Sequence, residues 1–513
     1  MFPPYCNGKP GEKQYLSPLA KVPHLWYNQV KIVCVEENMS KEINWSAYLS
    51  PEASPGFLQQ LGLVLRLSVP AILAEISTIA MEYIDAGMVG SLGAAATAAI
   101  GLVASTTWLF GGICASAAAG FSVQIAQLIG AGRRKEAQSV VRQGLMAAVA
   151  IGVLLGGIGA GISSSLPHWL HGADDVCPQA GRYFLIYSCA LPFSMLRQTS
   201  GSMLQCSGDM RTPSTLNILL CVLDVIFNSF LIFPTRTAAF LGSSITLPGA
   251  GLGVTGAALG TALSEVVISV SMVLFLCFRS PALRLVKGIP WRLEQNCLRT
   301  AARLSLPIAL ERVISGGAYV AGTRIVAPLG TVAVAANSLA VTAEGFCYMP
   351  GYGIGSAATT LVGQSTGAGR KDLCKHFAYL TTALGMLLMA LTGTVMFLIA
   401  PWMFSLLTPD PAIQELGARV LRIEAFAEPL FAASIVAAGA LRGAGDTLVP
   451  SVLNLVSMWG VRITMSMVLA PRFGLAGVWM AMCGELCIRG VLFLVRLLRG
   501  KWLENRAVKI PET

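Results

Sequence analysis

The chain has 513 residues, of which 54% are hydrophobic and only 12% are charged, and its formal net charge is +10. Soluble domains carry about 25% charged residues, so this composition excludes an ordinary soluble protein and indicates an integral membrane protein. The basic residues stand in short clusters between apolar segments and not on a face interleaved with aromatic residues. We therefore expect no nucleic-acid partner.

The sequence also argues against an enzyme. It contains no phosphate-binding glycine loop and no nucleophile beside a base, and its 13 cysteines are scattered without a Cys-x-x-Cys pair. Cysteines and histidines do not come together at the spacing of a zinc site. We expect no metal centre of that kind and no organic cofactor.

The first segment of the chain differs from the rest. Residues 1–55 mix proline, charged and aromatic residues without periodicity, and no signal-peptide pattern is present. We expect a mobile cytosolic tail here, within which Met39 would serve as an alternative start.

Apolar segments then recur, each long enough for the roughly 20 residues that a helix needs to cross a bilayer. There are six in each half, which predicts an all-α integral membrane fold with twelve transmembrane helices. The predicted order is an N-lobe with helices 1–6 at 56–278, a basic cytosolic linker at 279–300, a C-lobe with helices 7–12 at 301–498 and a cytosolic tail at 499–513.

The loops between these segments alternate in charge. Basic clusters follow the second predicted helix, at residues 133–135, and the eighth, at residues 370–375, whereas the opposite loops hold few basic residues. Positive charge favours the cytosolic side of a membrane. Both termini are therefore expected in the cytosol, and the expected location is the plasma (inner) membrane.

The two halves are repeats of one unit. QLIGAGR at 127–133 recurs as QSTGAGR at 364–370, an offset of 237 that also relates Pro70 to Pro307 and Asn217 to Asn454. The offset falls to 221 after 16 extra residues near 235–249, which we interpret as a loop insertion. Because each half has an even number of spans, the repeats are parallel and related by a pseudo-twofold axis along the membrane normal, around a central cleft.

Acidic residues within the apolar segments are the strongest functional signal, because a charged carboxylate in a bilayer is costly and must face protein or water. Asp85 and Asp224 each lack an oppositely charged neighbour in sequence, and Asn228 shares a helix face with Asp224 at i, i+4. Carboxyl and amide groups together can hold a proton or a dehydrated cation. We predict an ion-coupling site at Asp85, Asp224 and Asn228, with sodium as one possible occupant.

Further acids in the predicted spans are candidates for the substrate cleft. For Glu75 and Glu311, which closely follow a helix-start proline, a position near the membrane interface is an equal alternative. Glu485 and Arg489 are spaced as an intrahelical ion pair. The predicted cleft residues are Glu75, Glu82, Glu265, Glu311, Glu344 and Glu428.

The motifs of residues 60–500 together resemble the multidrug and toxic compound extrusion (MATE) family, and most closely its branch typified by the DNA-damage-inducible F protein. The resemblance implies two six-helix lobes, a monomer, and export of organic cations against an inward flow of protons or sodium. It also implies an ion site that includes Asp85, the pair Asp224 and Asn228 in reversed order, and Thr261. The motifs are D-x3-VG-x-LG at 85–93, the two QxxGAGR segments, MPG at 349–351, LQCSGD at 204–209 and LRGAGDT at 441–447.

The function we expect is a secondary active multidrug exporter, a cation-coupled antiporter that works by rocker-switch alternating access. Its expected partners are organic cations or amphiphiles and membrane lipid. The alternative is a flippase for lipid-linked sugars or other amphiphiles, which would show a cationic cleft for pyrophosphate. The largely acidic candidates favour the exporter.

Overall fold

The computed structural model describes residues 48–50, 54–240, 243–286, 288 and 290–508. Within them, residues 54–508 belong to one compact unit. The tail predicted at 1–55 lies almost wholly outside the described residues, as do the last five residues of the tail predicted at 499–513.

The first half consists of six long helices, with a short helix, Leu166–Trp169, between the third and the fourth. The insertion predicted as a loop between the fifth and sixth helices forms two antiparallel strands, β1 (Pro234–Phe240) and β2 (Ser243–Ala250). The long helices are α1 (Phe57–Gly90), α2 (Ala94–Gly130), α3 (Arg134–Ile162), α4 (Cys177–Ser207), α5 (Arg211–Leu231) and α6 (Val254–Arg279).

The second half repeats this order without the strands, so the twelve-helix fold predicted from the sequence is confirmed. α10 is interrupted, since its segments Pro411–Glu424 and Glu428–Ala444 are separated by a turn. The other helices are α7 (Gln295–Val326), α8 (Thr331–Gly367), α9 (Lys371–Leu407), α11 (Leu448–Phe473) and α12 (Leu475–Leu498).

Nine of the helices described by the structure are long and apolar enough to cross a membrane on length and composition alone. The remaining long helices are α4, α7 and α10. α4 carries two arginines, α7 carries several arginines and Glu311, and α10 is divided into segments of 14 and 17 residues. These three therefore depend on neighbouring helices to shield their polar groups.

Each lobe has its own apolar core. One buried cluster includes Phe184 and Leu191 of α4 together with residues of the other N-lobe helices, and another includes Phe404 of α9 and Trp479 of α12 in the C-lobe. Glycines permit the close helix contacts within a lobe. A Cβ at Gly152 of α3 would lie 2.7 Å from Pro192 Cα in α4, so a larger residue there would force the two helices apart.

The lobes meet at the ends of α2 and α8, where the two QxxGAGR segments lie; we call this the motif end. The Gln127 side-chain amide donates to the carbonyl of Gly443 at 3.1 Å, and that of Gln364 donates to the carbonyl of Cys206 at 2.9 Å. The two contacts are equivalent in the repeat, since Gln364 follows Gln127 by 237 residues and Gly443 follows Cys206 by the same number. Two glycines at the same offset make an equivalent contact. A Cβ at Gly130 would collide with the carbonyl of Gln364, and a Cβ at Gly367 would collide with the carbonyl of Gln127.

The segment after α12 also bridges the lobes at this end. Trp502 is fully buried and donates to the carbonyl of Leu497 at 2.8 Å. The backbone N–H groups of Ala507 and Val508 donate to Gln127 Oε1 at 2.9 and 3.2 Å. Val508 packs against an apolar cluster that joins Phe121 and other N-lobe residues to Cys297 and Ala301 of α7. The chain thus leaves the C-lobe and attaches to the N-lobe.

The glycine contact between the lobes gives a first testable prediction. Gly130→Ala would place a methyl group against the α8 backbone, and such overpacking costs about 1–3 kcal/mol. We expect a lower unfolding midpoint for the purified protein, measured by tryptophan fluorescence during heating in detergent. Gly101→Ala is the control in the same helix, since its Cβ meets no atom within 4 Å. Equal midpoints for the two variants would contradict the contact.

Candidate functional site

Three predicted residues meet inside the N-lobe. The side-chain amide of Asn228 on α5 donates to Asp85 Oδ1 of α1 at 3.0 Å and to Asp224 Oδ2, one turn earlier on α5, at 2.9 Å. Asp224 and Asn228 are buried, with 0% and 1% of their surface exposed. One amide group therefore bridges two acids from different helices; we call these three residues the N-lobe acid site.

Helix α6 completes this site. Ser264 Oγ donates to Asp224 Oδ1 at 3.3 Å, and Thr261 on the same helix lies close to Asp224. Gly260 lies against the amide, since a Cβ there would collide with Asn228 Oδ1 and lie 3.0 Å from Asn228 Cγ. Sequence reasoning included Thr261 but missed Gly260 and Ser264. Their spacing of four residues, on the face beside Thr261, was the available signal.

The arrangement suits a small cation. Two ionised carboxylates that share one amide group repel each other, and a proton or a cation between them removes that repulsion. Asn228 Oδ1 is buried and has no hydrogen-bond partner among the described residues, so it is available as a further oxygen ligand. Among those residues, no group of three or more His, Cys, Asp or Glu side chains is arranged to hold a metal ion. The oxygen donors are carboxyl, amide and hydroxyl groups.

The predicted cleft residue Glu265 lies in an ion pair. Arg197 of α4 contacts its carboxylate at 2.6 and 3.0 Å and also donates to Asn217 at 3.1 Å. Ser194 donates to Glu265 at 2.6 Å. Glu75 is close enough to Arg197 to interact with it electrostatically. Sequence reasoning missed Arg197, whose partner is 68 residues away in the chain.

Glu311 has an equivalent environment in the C-lobe. It accepts hydrogen bonds from Ser451 at 2.7 Å and Asn454 at 2.6 Å, and Arg442 lies 3.5 Å from its carboxylate. Asn454 is the counterpart of Asn217 at the offset of 237. An equivalent asparagine therefore contacts an Arg–Glu pair in each lobe.

The other predicted cleft residues lie in two places. Glu82 is exposed and is close enough to Asp85 to interact with it electrostatically. Glu344 of α8 and Glu428 of α10 are buried in the C-lobe, where Glu424 and Glu485 are also buried. The four C-lobe glutamates are in electrostatic contact, and we call them the C-lobe glutamates.

The C-lobe glutamates adjoin the interruption in α10. Glu424 ends the first segment and Glu428 begins the second, beside Pro429, which cannot donate a helical hydrogen bond. Neither carboxylate oxygen of Glu424 has a hydrogen-bond partner in the described part of the chain. Interrupted helices are a known way to build ion sites in membrane transporters. Glu424 was absent from the predicted cleft set.

Arginines line a cavity of about 200 Å³ between α7, α8, α10, α11 and α12. Glu485 and Arg489 form the predicted intrahelical pair at 3.3 Å, and Arg489 also lies 5.3 Å from the centre of the Phe431 ring. The charged residues that line this cavity are Glu311, Arg312, Arg442 and Arg489. The predicted cleft residues did not include these arginines.

Sequence relatives cover most of the chain. A protein from Thermotoga maritima named probable multidrug resistance protein NorM is 28% identical over 91% of this chain and 97% of its own. A protein of the same name from Neisseria meningitidis serogroup B is 26% identical over 85% of this chain and 94% of its own.

Solved structures share the fold. An outward-facing multidrug resistance MATE family transporter of the MOP superfamily matches 91% of this chain and 100% of its own, at 19% identity and a TM-score of 0.81. A MOP superfamily transporter from Pyrococcus furiosus, whose binding pocket is described as having reverse polarity, also gives 0.81, at 18% identity and with the same coverage.

The MatE family model matches the chain twice, at residues 70–230 and 307–468. The second match begins 237 residues after the first, which is the offset of the sequence repeat. Together the matches cover more than half of the chain. The protein therefore belongs to the MatE family of integral, multi-pass membrane transporters and is not an enzyme.

Proposed function

We propose that this chain is a secondary active multidrug exporter that exchanges organic, mainly cationic, compounds for protons or sodium ions. The observation that carries the proposal is the N-lobe acid site, in which Asn228 bridges Asp85 and Asp224. The names of the sequence relatives support multidrug efflux. The coupling ion would occupy the acid site.

Helix α1 connects this site to the other lobe. Asp85 lies on α1, and so does Ile72, whose backbone N would lie 2.7 Å from a Cβ at Gly353 of α8. Tyr83 stacks on Phe346 of α8, with 5.0 Å between ring centres. A change of charge at Asp85 therefore acts on a helix that packs against both lobes. We infer that ion binding biases the rocker-switch movement through α1.

We place the motif end and both termini in the cytosol, because the basic clusters at 133–135 and 370–375 follow α2 and α8 there. The protein would work as a monomer in the plasma (inner) membrane, in contact with lipid. Organic cations would be attracted by Glu75, Glu82, Glu344 and Glu428. Glu265 and Glu311 would contribute less, since each lies beside an arginine.

The arginine-lined cavity favours one alternative, a flippase for lipid-linked sugars or other amphiphiles. Such a transporter needs cationic groups for pyrophosphate, and Arg312, Arg442 and Arg489 are of that kind. The exporter remains the better-supported function, because its relatives carry that name and the acid site suits a coupling ion.

Efflux of a fluorescent organic cation from proteoliposomes tests the proposed function. Under a pure pH gradient and then a pure sodium gradient, we expect wild-type efflux to follow one of the two. Asp85→Asn should lose this dependence, since an amide can neither release a proton nor neutralise a cation. Glu424→Gln is the matched control in the C-lobe and should keep the dependence.

Loss of coupling in Glu424→Gln with normal coupling in Asp85→Asn would move the coupling site to the C-lobe glutamates. An inserted and folded wild-type protein that drives no efflux under either gradient would overturn antiport of this class of cation.

The contact between Gly260 and Asn228 gives a separate prediction. Gly260→Ala should displace the Asn228 amide, and a hydrogen bond to a charged group contributes about 1.5–3 kcal/mol. In the same efflux assay, the concentration of coupling ion for half-maximal rate should rise at least about tenfold. Gly157→Ala, whose Cβ meets no atom within 4 Å, serves as the N-lobe control. Identical ion dependence in both variants would contradict a role for the amide.

A further inference from the structure

The segment between α6 and α7, residues 280–294, packs against the motif end of the N-lobe; we call it the linker segment. The side chain of Arg142 on α3 donates to the carbonyl of Val286 at 2.6 Å. The backbone N–H of Glu294 donates to the side-chain oxygen of Gln143, the next residue of α3, at 2.8 Å. The linker segment therefore crosses α3 at Arg142 and Gln143.

Arg142 marks the edge of the membrane on α3. It is the last charged residue of this helix, and residues 143–162, which follow it, are all uncharged. A segment of about 20 residues is what a helix needs to cross the hydrocarbon core of a bilayer. Trp291 of the linker segment is exposed and lies over Arg142, with 5.8 Å between its ring centre and the guanidinium carbon. Tryptophan is enriched at the membrane interface, so the linker segment lies at the level of the lipid headgroups.

An apolar groove lies directly beyond this edge. Its volume is about 540 Å³, which is within the range of ligand-binding pockets. Its lining residues are all apolar and come from α3, α4, α6 and Trp291 of the linker segment. It begins at Leu145, one turn after Arg142 on the same face of α3. Val149 and Ala150 also line it and are exposed. The groove therefore opens towards lipid, with an arginine at its headgroup end.

Charge decides what occupies such a groove, because an acyl chain gains no hydrophobic free energy when it leaves the bilayer for an apolar wall. Residues 279–300 contain five basic residues and one acid, Glu294. On α3 the single acid is Glu136, which is held in an ion pair with Arg133 at 2.6 Å. Basic residues beside membrane helices on the cytosolic side attract anionic lipid headgroups. The surroundings of the groove therefore favour an anionic lipid.

Three arginines at this end of the groove are available to a headgroup. Arg284 precedes Leu285, whose N–H donates to the carbonyl of Cys277 in the groove at 2.8 Å. Arg292 follows the tryptophan that lines the groove. Both arginines are exposed, and their side chains form no hydrogen bond or ion pair with a described residue. The Nε atom of Arg142 is buried and has no hydrogen-bond partner among those residues. A phosphate group would supply the missing acceptors.

We propose that this groove binds an anionic phospholipid of the cytosolic leaflet, with an acyl chain between α3 and α6 and the phosphate beside Arg142, Arg284 and Arg292. The proposal rests on the cytosolic placement of the motif end and not on the export of cations. It also accounts for Arg142, which the repeat does not require, since the residue 237 positions later is Tyr379. The groove includes no residue of the N-lobe acid site.

Quenching of Trp291 fluorescence by brominated lipid chains tests the proposal. The full-length protein is reconstituted in phosphatidylcholine vesicles that contain a rising fraction of brominated phosphatidylglycerol or, separately, of brominated phosphatidylcholine. The contribution of Trp291 is the difference between the wild type and Trp291→Phe. Each basic residue near a membrane surface raises the affinity for an anionic lipid about fivefold. Half of the Trp291 signal should therefore be quenched at a fraction of brominated phosphatidylglycerol at least about fivefold lower than that of brominated phosphatidylcholine.

Ala150→Phe tests the fit of the chain. The added ring would fill the groove from an exposed position, so Trp291 should be quenched equally by the two brominated lipids. Leu387→Phe is the matched control, because Leu387 is exposed on α9 at the equivalent position of the repeat and lies outside the groove. It should keep the wild-type preference. Trp291→Phe is made in each background to isolate the signal.

Arg284→Gln combined with Arg292→Gln tests the headgroup contact. This double variant should also lose the preference for phosphatidylglycerol. Its control is Arg419→Gln combined with Arg472→Gln, which removes the same charge from exposed positions of the C-lobe and should keep the preference. The substituted positions are all exposed, and thermal unfolding in detergent checks that the variants are folded.

Equal quenching of the wild type by the two lipids, or an unchanged preference in either test variant, would overturn the proposal. Displacement of brominated phosphatidylglycerol by an equal membrane fraction of dodecyltrimethylammonium would also overturn it, and would assign the groove to cationic amphiphiles. The assay involves no gradient and no transport, so its failure is distinct from failure of the antiport experiment.

Discussion

The fold depends on a reciprocal contact between two glutamines and two glycines. Residues near the ends of helices leave backbone carbonyls without intrahelical partners. Gln127 and Gln364 each donate to such a carbonyl near the end of a helix in the opposite lobe, at Gly443 and Cys206. Gly130 and Gly367 let the backbones approach closely enough for this exchange. The lobes also share apolar contacts, since Cys297 and Ala301 of α7 belong to a buried cluster with Phe121 of α2. The polar contacts at the motif end fix the register in which the two lobes meet.

Duplication kept the framework and changed the charges. Asn217 and Asn454 are equivalent, and each contacts an Arg–Glu pair. The arginines lie at different positions on the equivalent helices α4 and α10, and the glutamates come from the non-equivalent helices α6 and α7. The N-lobe keeps an oxygen-rich site with two aspartates on α1 and α5. The C-lobe instead has an arginine-lined cavity beside the buried glutamates. The two lobes thus share one fold but hold sites of different charge. The cleft between them is therefore asymmetric, unlike the cleft of a symmetric dimer of the unit.

Sequence periodicity predicted what is local and what is repeated. It predicted twelve helices because apolar segments of about 20 residues are easily recognised. It predicted two lobes because the motifs of the first half recur 237 residues later. Asp224 and Asn228 share a face by simple helical spacing, whereas their contact with Asp85 depends on helix packing. The same limit applies to Arg197 and Glu265, whose contact joins α4 to α6, and to the arginine cavity, which draws on five helices. The hairpin β1–β2 was missed because an insertion in one repeat has no counterpart with which to compare it.

The segment after α12 connects the two lobes and limits how far they can separate at the motif end. Trp502 is anchored in the C-lobe and Val508 is attached beside Gln127 in the N-lobe. The six residues from one to the other can extend to about 20 Å at most. If Val508 stays attached, the motif end can open by no more than this length of chain allows. The limit would come from the number of residues in this segment and not from their chemistry. A longer segment would therefore permit a wider opening without altering any contact in the membrane.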